Sequence, residues 1–125
     1  MARSELLAEQ LASVGKVYPD AAIHPVGDGT HVVRVRLPLC AGWNAASTLV
    51  RFVVPIPYPA AQPDCFWTDP DLRLANGAMP TNSGMQPLAG EQMMWFSWHL
   101  ASWNPTRDSL LCYVRFIAER LRRAQ

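Results

Sequence analysis

Residues 52–67 read Phe52-Val53-Val54-Pro55-Ile56-Pro57-Tyr58-Pro59-Ala60-Ala61-Gln62-Pro63-Asp64-Cys65-Phe66-Trp67. Proline fixes φ and removes a backbone donor, so the segment between Val54 and Asp64 must leave any sheet as an extended or turning connection. Its flanks are sheet-like. From Thr48 to Val54, the residues Val50, Phe52 and Val54 fall on one side of a two-residue repeat, and Asp64 to Thr68 can return as the next strand.

Working toward the N-terminus, the run from Thr30 to Leu37 places Val33, Val35 and Leu37 on one face. Arg34 and Arg36 share the other face with Val32, the alternation of a strand that is wet on one side. A loop through Cys40, Gly42 and Asn44 joins it to the Thr48 strand. Before it, Gly27-Asp28-Gly29 tolerates the positive φ of a tight hairpin, so Ala22 to Val26 reads as the first strand. Leu7, Leu11 and Val14 recur at helical spacing between Ser4, a capping residue, and Gly15, a terminator, and Tyr18-Pro19-Asp20 supplies a turn. The expectation is an N-terminal helix followed by a four-stranded antiparallel meander.

Toward the C-terminus, residues 69–91 show no sustained period, and Pro70, Gly77, Pro80, Gly84, Pro87 and Gly90 interrupt them. A structureless connection of this length tends to be functional. Asn104 can cap a helix whose first residue is Pro105, and Leu110, Val114, Ile117, Ala118 and Leu121 follow as one apolar stripe, which predicts a helix from Pro105 to about Arg122. The whole is α+β: a helix, four strands, a long irregular segment and a C-terminal helix.

Composition sets the outer limits. The 125 residues suit a single domain over residues 1–125, with 50% apolar and 17% charged residues, far from the signature of disorder. Eleven Lys+Arg against ten Asp+Glu leave no broad basic field for a nucleic acid or an anionic membrane, and the Arg120, Arg122, Arg123 cluster suits a helix C-terminus. Cys40, Cys65 and Cys112 are odd in number and widely spaced, which fits neither a disulfide framework nor a zinc site, and points to the cytoplasm. There is no apolar run of about 20 residues and no signal-peptide pattern.

Two motifs then carry a resemblance. A third strand leading through a proline turn to Tyr58-Pro59, then Pro63, then Cys65-Phe66-Trp67, is followed by Trp103-Asn104-Pro105 at the start of the last helix, with Asp108, Ser109 and Leu110 just after. In this order the chain resembles the ubiquitin-conjugating (UBC-like) superfamily over about residues 4 to 122. It ends after the helix that follows the active-site segment, where the familiar eukaryotic members continue. With its Trp-rich segment and Ser-x-His before Trp-x-Pro, it is similar to the bacterial branch. That branch is associated with ubiquitin-like proteins, activating enzymes and JAB-type peptidases.

One departure matters. The family's nucleophilic cysteine stands shortly before Trp-x-Pro, where Met94 and Trp95 are found here, and no cysteine occurs between Cys65 and Cys112. Cys65 reads as a small core residue, Cys112 lies beside the stripe of the last helix, and Cys40, in a strand-end loop, is the cysteine kept as an alternative nucleophile. In Trp95-Phe96-Ser97-Trp98-His99 an extended backbone directs Ser97 and His99 to the same side, and an imidazole is the usual base for a hydroxyl nucleophile. Ser97 is therefore the candidate acceptor of a ubiquitin-like C-terminus as an oxyester. The opposing reading has Ser97 bonding the backbone and His99 filling a polar niche. For the oxyanion donor the resemblance implies an asparagine upstream of the nucleophile. Asn76 falls near that position and Asn82 is the second choice, although Asn76-Gly77 is equally a common turn pair. Asp108 can orient an incoming lysine or favour the helix dipole. Trp95, Trp98 and Trp103 belong to an apolar cluster with Met93, Met94 and Phe96, which forms core where buried and a binding surface where exposed.

Two functions compete. The first is a conjugating transferase that takes a ubiquitin-like protein from an activating enzyme and passes it to an amine. The second is a non-catalytic module that holds a ubiquitin-like protein or its activating enzyme, favoured by the missing cysteine. A serine hydrolase unrelated to conjugation is a third reading, but there is no Gly-x-Ser-x-Gly elbow and no evident third member of a triad. No metal or organic cofactor is expected, since His24, His31 and His99 are scattered and phosphate-binding glycine motifs are missing.

Overall fold

The computed structural model describes residues 2–125. Helix α1 (Arg3–Val17) is followed by strands β1 (Ala22–Pro25), β2 (His31–Pro38), β3 (Ser47–Val54), β4 (Phe66–Thr68), β5 (Ser83–Leu88) and β6 (Glu91–Phe96), and then by α2 (Leu110–Leu121). The strands form one antiparallel sheet in the order β1-β2-β3-β4-β6-β5. The α+β reading stands, with a helix at each end, but the sheet has six strands and not four.

The added pair begins inside the segment read as irregular, residues 69–91, and runs past its end. Strands β5 and β6 are joined by Ala89 and Gly90, whose φ angles are 50° and 84°, the two positive values that a two-residue hairpin turn requires. Alanine in place of the usual Asn or Asp conceals that turn in the sequence. Pro87 and Gly84 within β5 weaken the strand pattern further. Strand β6 then inserts beside β4, leaving β5 at the edge.

Both edges carry a proline. Leu88 and Glu91 close the hairpin, so the next pair, Pro87 and Gln92, is the non-bonded kind, with the Pro87 nitrogen directed outward. At the other edge Val26 N–H donates to Thr30 C=O, and the adjacent pair, Pro25 and His31, has the same geometry.

Helix boundaries differ at three ends. Gly15 does not stop α1, because the chain keeps a right-handed conformation to Val17 and Tyr18 N–H closes on Val14 C=O. Nor does Ser4 cap it: the helix begins at Arg3, with Ala2 in the cap position. Helix α2 begins at Leu110 instead of Pro105. Asn104 Oδ1 accepts from Thr106 N–H and Asp108 Oδ2 accepts from Asn104 N–H, so residues 104–108 close into a turn of their own. A remote side chain then serves the helix start, since Gln10 Oε1 of α1 accepts Leu110 N–H at 3.0 Å and also the Tyr58 hydroxyl.

The core lies between the helices and one sheet face. Leu7 and Val14 of α1 and Tyr113, Val114 and Ile117 of α2 are buried with Val33, Val35, Val50, Phe52, Phe66 and Phe96. Phe52 meets Tyr113 edge-on at 4.9 Å, and Phe66 stacks on Phe96 at 4.8 Å. Truncating one of these rings to alanine costs about 3–5 kcal/mol. The two motifs that carry the family resemblance also touch: Trp103 Nε1–H donates to Pro59 C=O at 2.8 Å and its ring packs on Tyr58.

Arg120 lies inside this layer, only 2% exposed. Its guanidinium sits 5.2 Å from the Phe96 ring centre and 5.5 Å from that of Trp98, and donates to the carbonyls of Thr81, Arg123 and Gln125. It thus ties α2 to the residue that precedes Asn82 and β5.

Candidate functional site

The last residues of β6 and the approach to β4 are fastened together by the backbone. Phe66 pairs with Phe96, and Cys65 N–H donates to Trp98 C=O at 3.1 Å, which continues the ladder past both strands. Across the hairpin, Ser97 N–H donates to Asn82 C=O at 2.8 Å. From α2, the Tyr113 hydroxyl donates to Cys65 C=O at 2.8 Å. Three elements therefore fix residues 64–65 against residues 97–98.

The side chains alternate as an extended chain demands. Phe96 and Trp98 turn toward the helices, where Phe96 stacks on Phe66 and Trp98 on Phe116. Ser97 and His99 share the opposite side, with Ser97 Oγ 3.1 Å from His99 Nε2. The other imidazole nitrogen, Nδ1, is 2.6 Å from Asp64 Oδ1. An ionised carboxylate only accepts, so in the neutral imidazole Nδ1 carries the proton and Nε2 is left to accept from the Ser97 hydroxyl. Serine, imidazole and carboxylate thus form a continuous hydrogen-bonded chain.

Cys65 is held beside this chain. It is buried at a φ of 60°, with Sγ 4.0 Å from His99 Nδ1. Burial pushes its thiol above the ordinary value, and the neighbouring Asp64 carboxylate adds to the effect. By contrast the Asp64 and His99 side chains are 57% and 58% exposed, so the site opens directly to solvent.

Other residues singled out from the sequence are placed elsewhere. Asn76 Oδ1 accepts Ala78 N–H at 2.9 Å, forming the turn that Asn76-Gly77 suggests, and Ala75 N–H is bonded to Gly42 C=O. It is the exposed Asn82, at a φ of 58°, that stands opposite Ser97. Cys40 lies at the far end of α2, where its thiol contacts the Leu121 and Arg122 carbonyls, and Cys112 is exposed on α2. Met93, Met94 and Phe96 are buried, whereas Trp95, Trp98 and Trp103 are half-buried. Asp108 is occupied with Asn104 N–H. On the sheet face away from the helices, a groove of about 330 Å³ is lined by Val32, Arg34, Arg51 and Met93, at the opposite end of β6 from Ser97.

Asp64 is the member that sequence reading missed. Its link to His99 depends on the pairing of β4 with β6, and β6 lay within and beyond a segment in which no strand was legible.

The fold has a helix at each end of an antiparallel sheet, and it packs Tyr58-Pro59 on Trp103, joining the two motifs that carry the resemblance. A family model described as Prokaryotic E2 family E matches residues 15–124, and the chain belongs to that family. This bears out the resemblance to the bacterial branch. No curated protein and no solved structure matches the chain significantly. Among the described residues no helix is long and apolar enough to cross a membrane.

Proposed function

We propose that this chain, as one domain in the cytoplasm, accepts the C-terminus of a ubiquitin-like protein from an activating enzyme and transfers it to an amine through an oxyester on Ser97. The observation that supports this most is the chain from Ser97 through His99 to Asp64 in a member of an E2 family. Ser97 Oγ attacks the activating enzyme's thioester as His99 Nε2 takes its proton, and Asp64 holds the imidazolium. The C–S bond breaks, and the departing thiolate receives that proton. An amine then attacks the ester, and the serine leaves as its hydroxyl.

In this reading Asn82 replaces Asn76 as the oxyanion donor, because its backbone is paired with that of Ser97. Trp95, Trp103 and Asp108 border the surface where the ubiquitin-like protein and the amine approach, while Trp98, packed on Phe116, backs it from the inside. Since His99 and Asp64 are exposed, the docked partner must exclude the water that would hydrolyse the ester.

The test mixes the protein with a ubiquitin-like protein, an activating enzyme and ATP, followed by intact-mass spectrometry. A thiol-stable, hydroxide-labile adduct that Ser97→Ala abolishes supports the oxyester, and a thiol-labile one shifts the acceptor to a cysteine. The second reading, a non-catalytic binding module, is favoured by the lack of a cysteine between Cys65 and Cys112. Binding without an adduct, while the activating enzyme is demonstrably charged, selects it.

A further inference from the structure

Asp64, Cys65 and His99 bring a carboxylate oxygen, a sulfur and an imidazole nitrogen within 4.8 Å of one another. Spacing rules miss this group, because Asp64 and Cys65 are adjacent while His99 comes from the far side of the β4–β6 pair. We propose that these three side chains form a site for a divalent transition metal of the zinc class.

The donor set is the mixture that such an ion takes, and the geometry is near what it needs. Metal–sulfur bonds of about 2.3 Å and metal–nitrogen or metal–oxygen bonds of about 2.0–2.1 Å imply tetrahedral separations of about 3.6 Å for S···N and 3.4 Å for N···O. The observed Cys65 Sγ to His99 Nδ1 distance is 4.0 Å, and that from His99 Nδ1 to Asp64 Oδ1 is 2.6 Å. Closing the first and opening the second takes under about 1 Å at each pair. The two side chains that must turn, Asp64 and His99, are more than half exposed, whereas the Cys65 backbone is fixed by its N–H bond to Trp98 C=O and by the Tyr113 hydroxyl on its own carbonyl. Three protein ligands leave a fourth position to water.

Binding moves two protons. The Cys65 thiol proton passes to solvent as the thiolate–metal bond forms, and the imidazole proton shifts from Nδ1 to Nε2 as the metal takes Nδ1. His99 Nε2–H then donates to Ser97 Oγ and can no longer accept its proton. Metal occupancy and base catalysis at Ser97 are therefore mutually exclusive.

The metal site does not depend on the acyl-transfer reading, so it is tested with the full chain alone. After chelator treatment the protein is titrated with Co²⁺, following the near-ultraviolet thiolate-to-cobalt band, and with Zn²⁺ by calorimetry. One ion per chain is expected. Cys65→Ser should abolish the band, and His99→Ala and Asp64→Asn should each weaken binding by about tenfold or more. The double variant Cys40→Ser/Cys112→Ser, remote from the site, should leave it unchanged, and circular dichroism checks that every variant is folded. Absence of a band at millimolar Co²⁺ overturns the proposal, as does binding that survives Cys65→Ser and His99→Ala or disappears in the Cys40/Cys112 variant.

Discussion

His99 Nδ1 and Asp64 Oδ1 stand 2.6 Å apart although β4, the connection over residues 69–82 and the β5–β6 hairpin separate them along the chain. Replacing the carboxylate by an amide keeps the shape and removes the group that selects the His99 tautomer. On the acyl-transfer reading, Asp64→Asn should slow formation of the Ser97 adduct by about 10²–10⁴-fold, measured by quenched-flow mass spectrometry. Its thermal midpoint should stay close to that of the parent, because both side chains are exposed.

Gln10 occupies a junction between three elements. Its carboxamide oxygen receives Leu110 N–H and the Tyr58 hydroxyl, so Gln10→Ala strands two donors in a poorly hydrated place. Urea denaturation should show a loss of about 1–3 kcal/mol. Gln10→Glu, which retains the acceptor near a helix N-terminus, should recover most of it.

The hairpin turn offers a gain. Ala89 holds a φ of 50°, where a Cβ is crowded by the following carbonyl. Ala89→Gly should stabilise the protein by about 0.5–1 kcal/mol, and Gly90→Ala, at a φ of 84°, should move stability the other way. Paired denaturation curves decide both.

Burial raises the phenols of Tyr58 and Tyr113 far above their ordinary value of 10.0. A folded pKa above the unfolded one means that the unfolded chain loses these protons first. Their contribution is therefore complete below about pH 10 and declines as the pH rises beyond it. Chemical denaturation between pH 9 and pH 11 should follow this slope, and Tyr113→Phe should flatten it while removing the bond to Cys65 C=O.

Much of the frame was legible because its signals are local. Val33, Val35 and Leu37 alternate with Arg34 and Arg36, and the structure buries the first set and exposes the second. Ser97 and His99 sit two residues apart, so an extended backbone alone brings them together. Asp64 was not legible, since its partner is set by the register between two strands, one of which hides behind an alanine-glycine turn. The start of α2 was misplaced for a related reason: Asn104 has the chemistry of a cap but spends it on a closed turn, while the acceptor for Leu110 comes from α1. Asn76, chosen as the oxyanion donor and equally legible as a turn former, commits its amide oxygen to Ala78 N–H.

The two edge prolines restrict how this molecule can meet another protein. An extended peptide joins a sheet by lending and borrowing main-chain hydrogen bonds along its rim, and Pro25 and Pro87 each remove an outward donor from the only two rims available among the described residues. A partner is thus denied a continuous backbone zipper on either side. Recognition has to be read from side chains on the faces and loops, and identical copies are kept from stacking edge to edge into fibres.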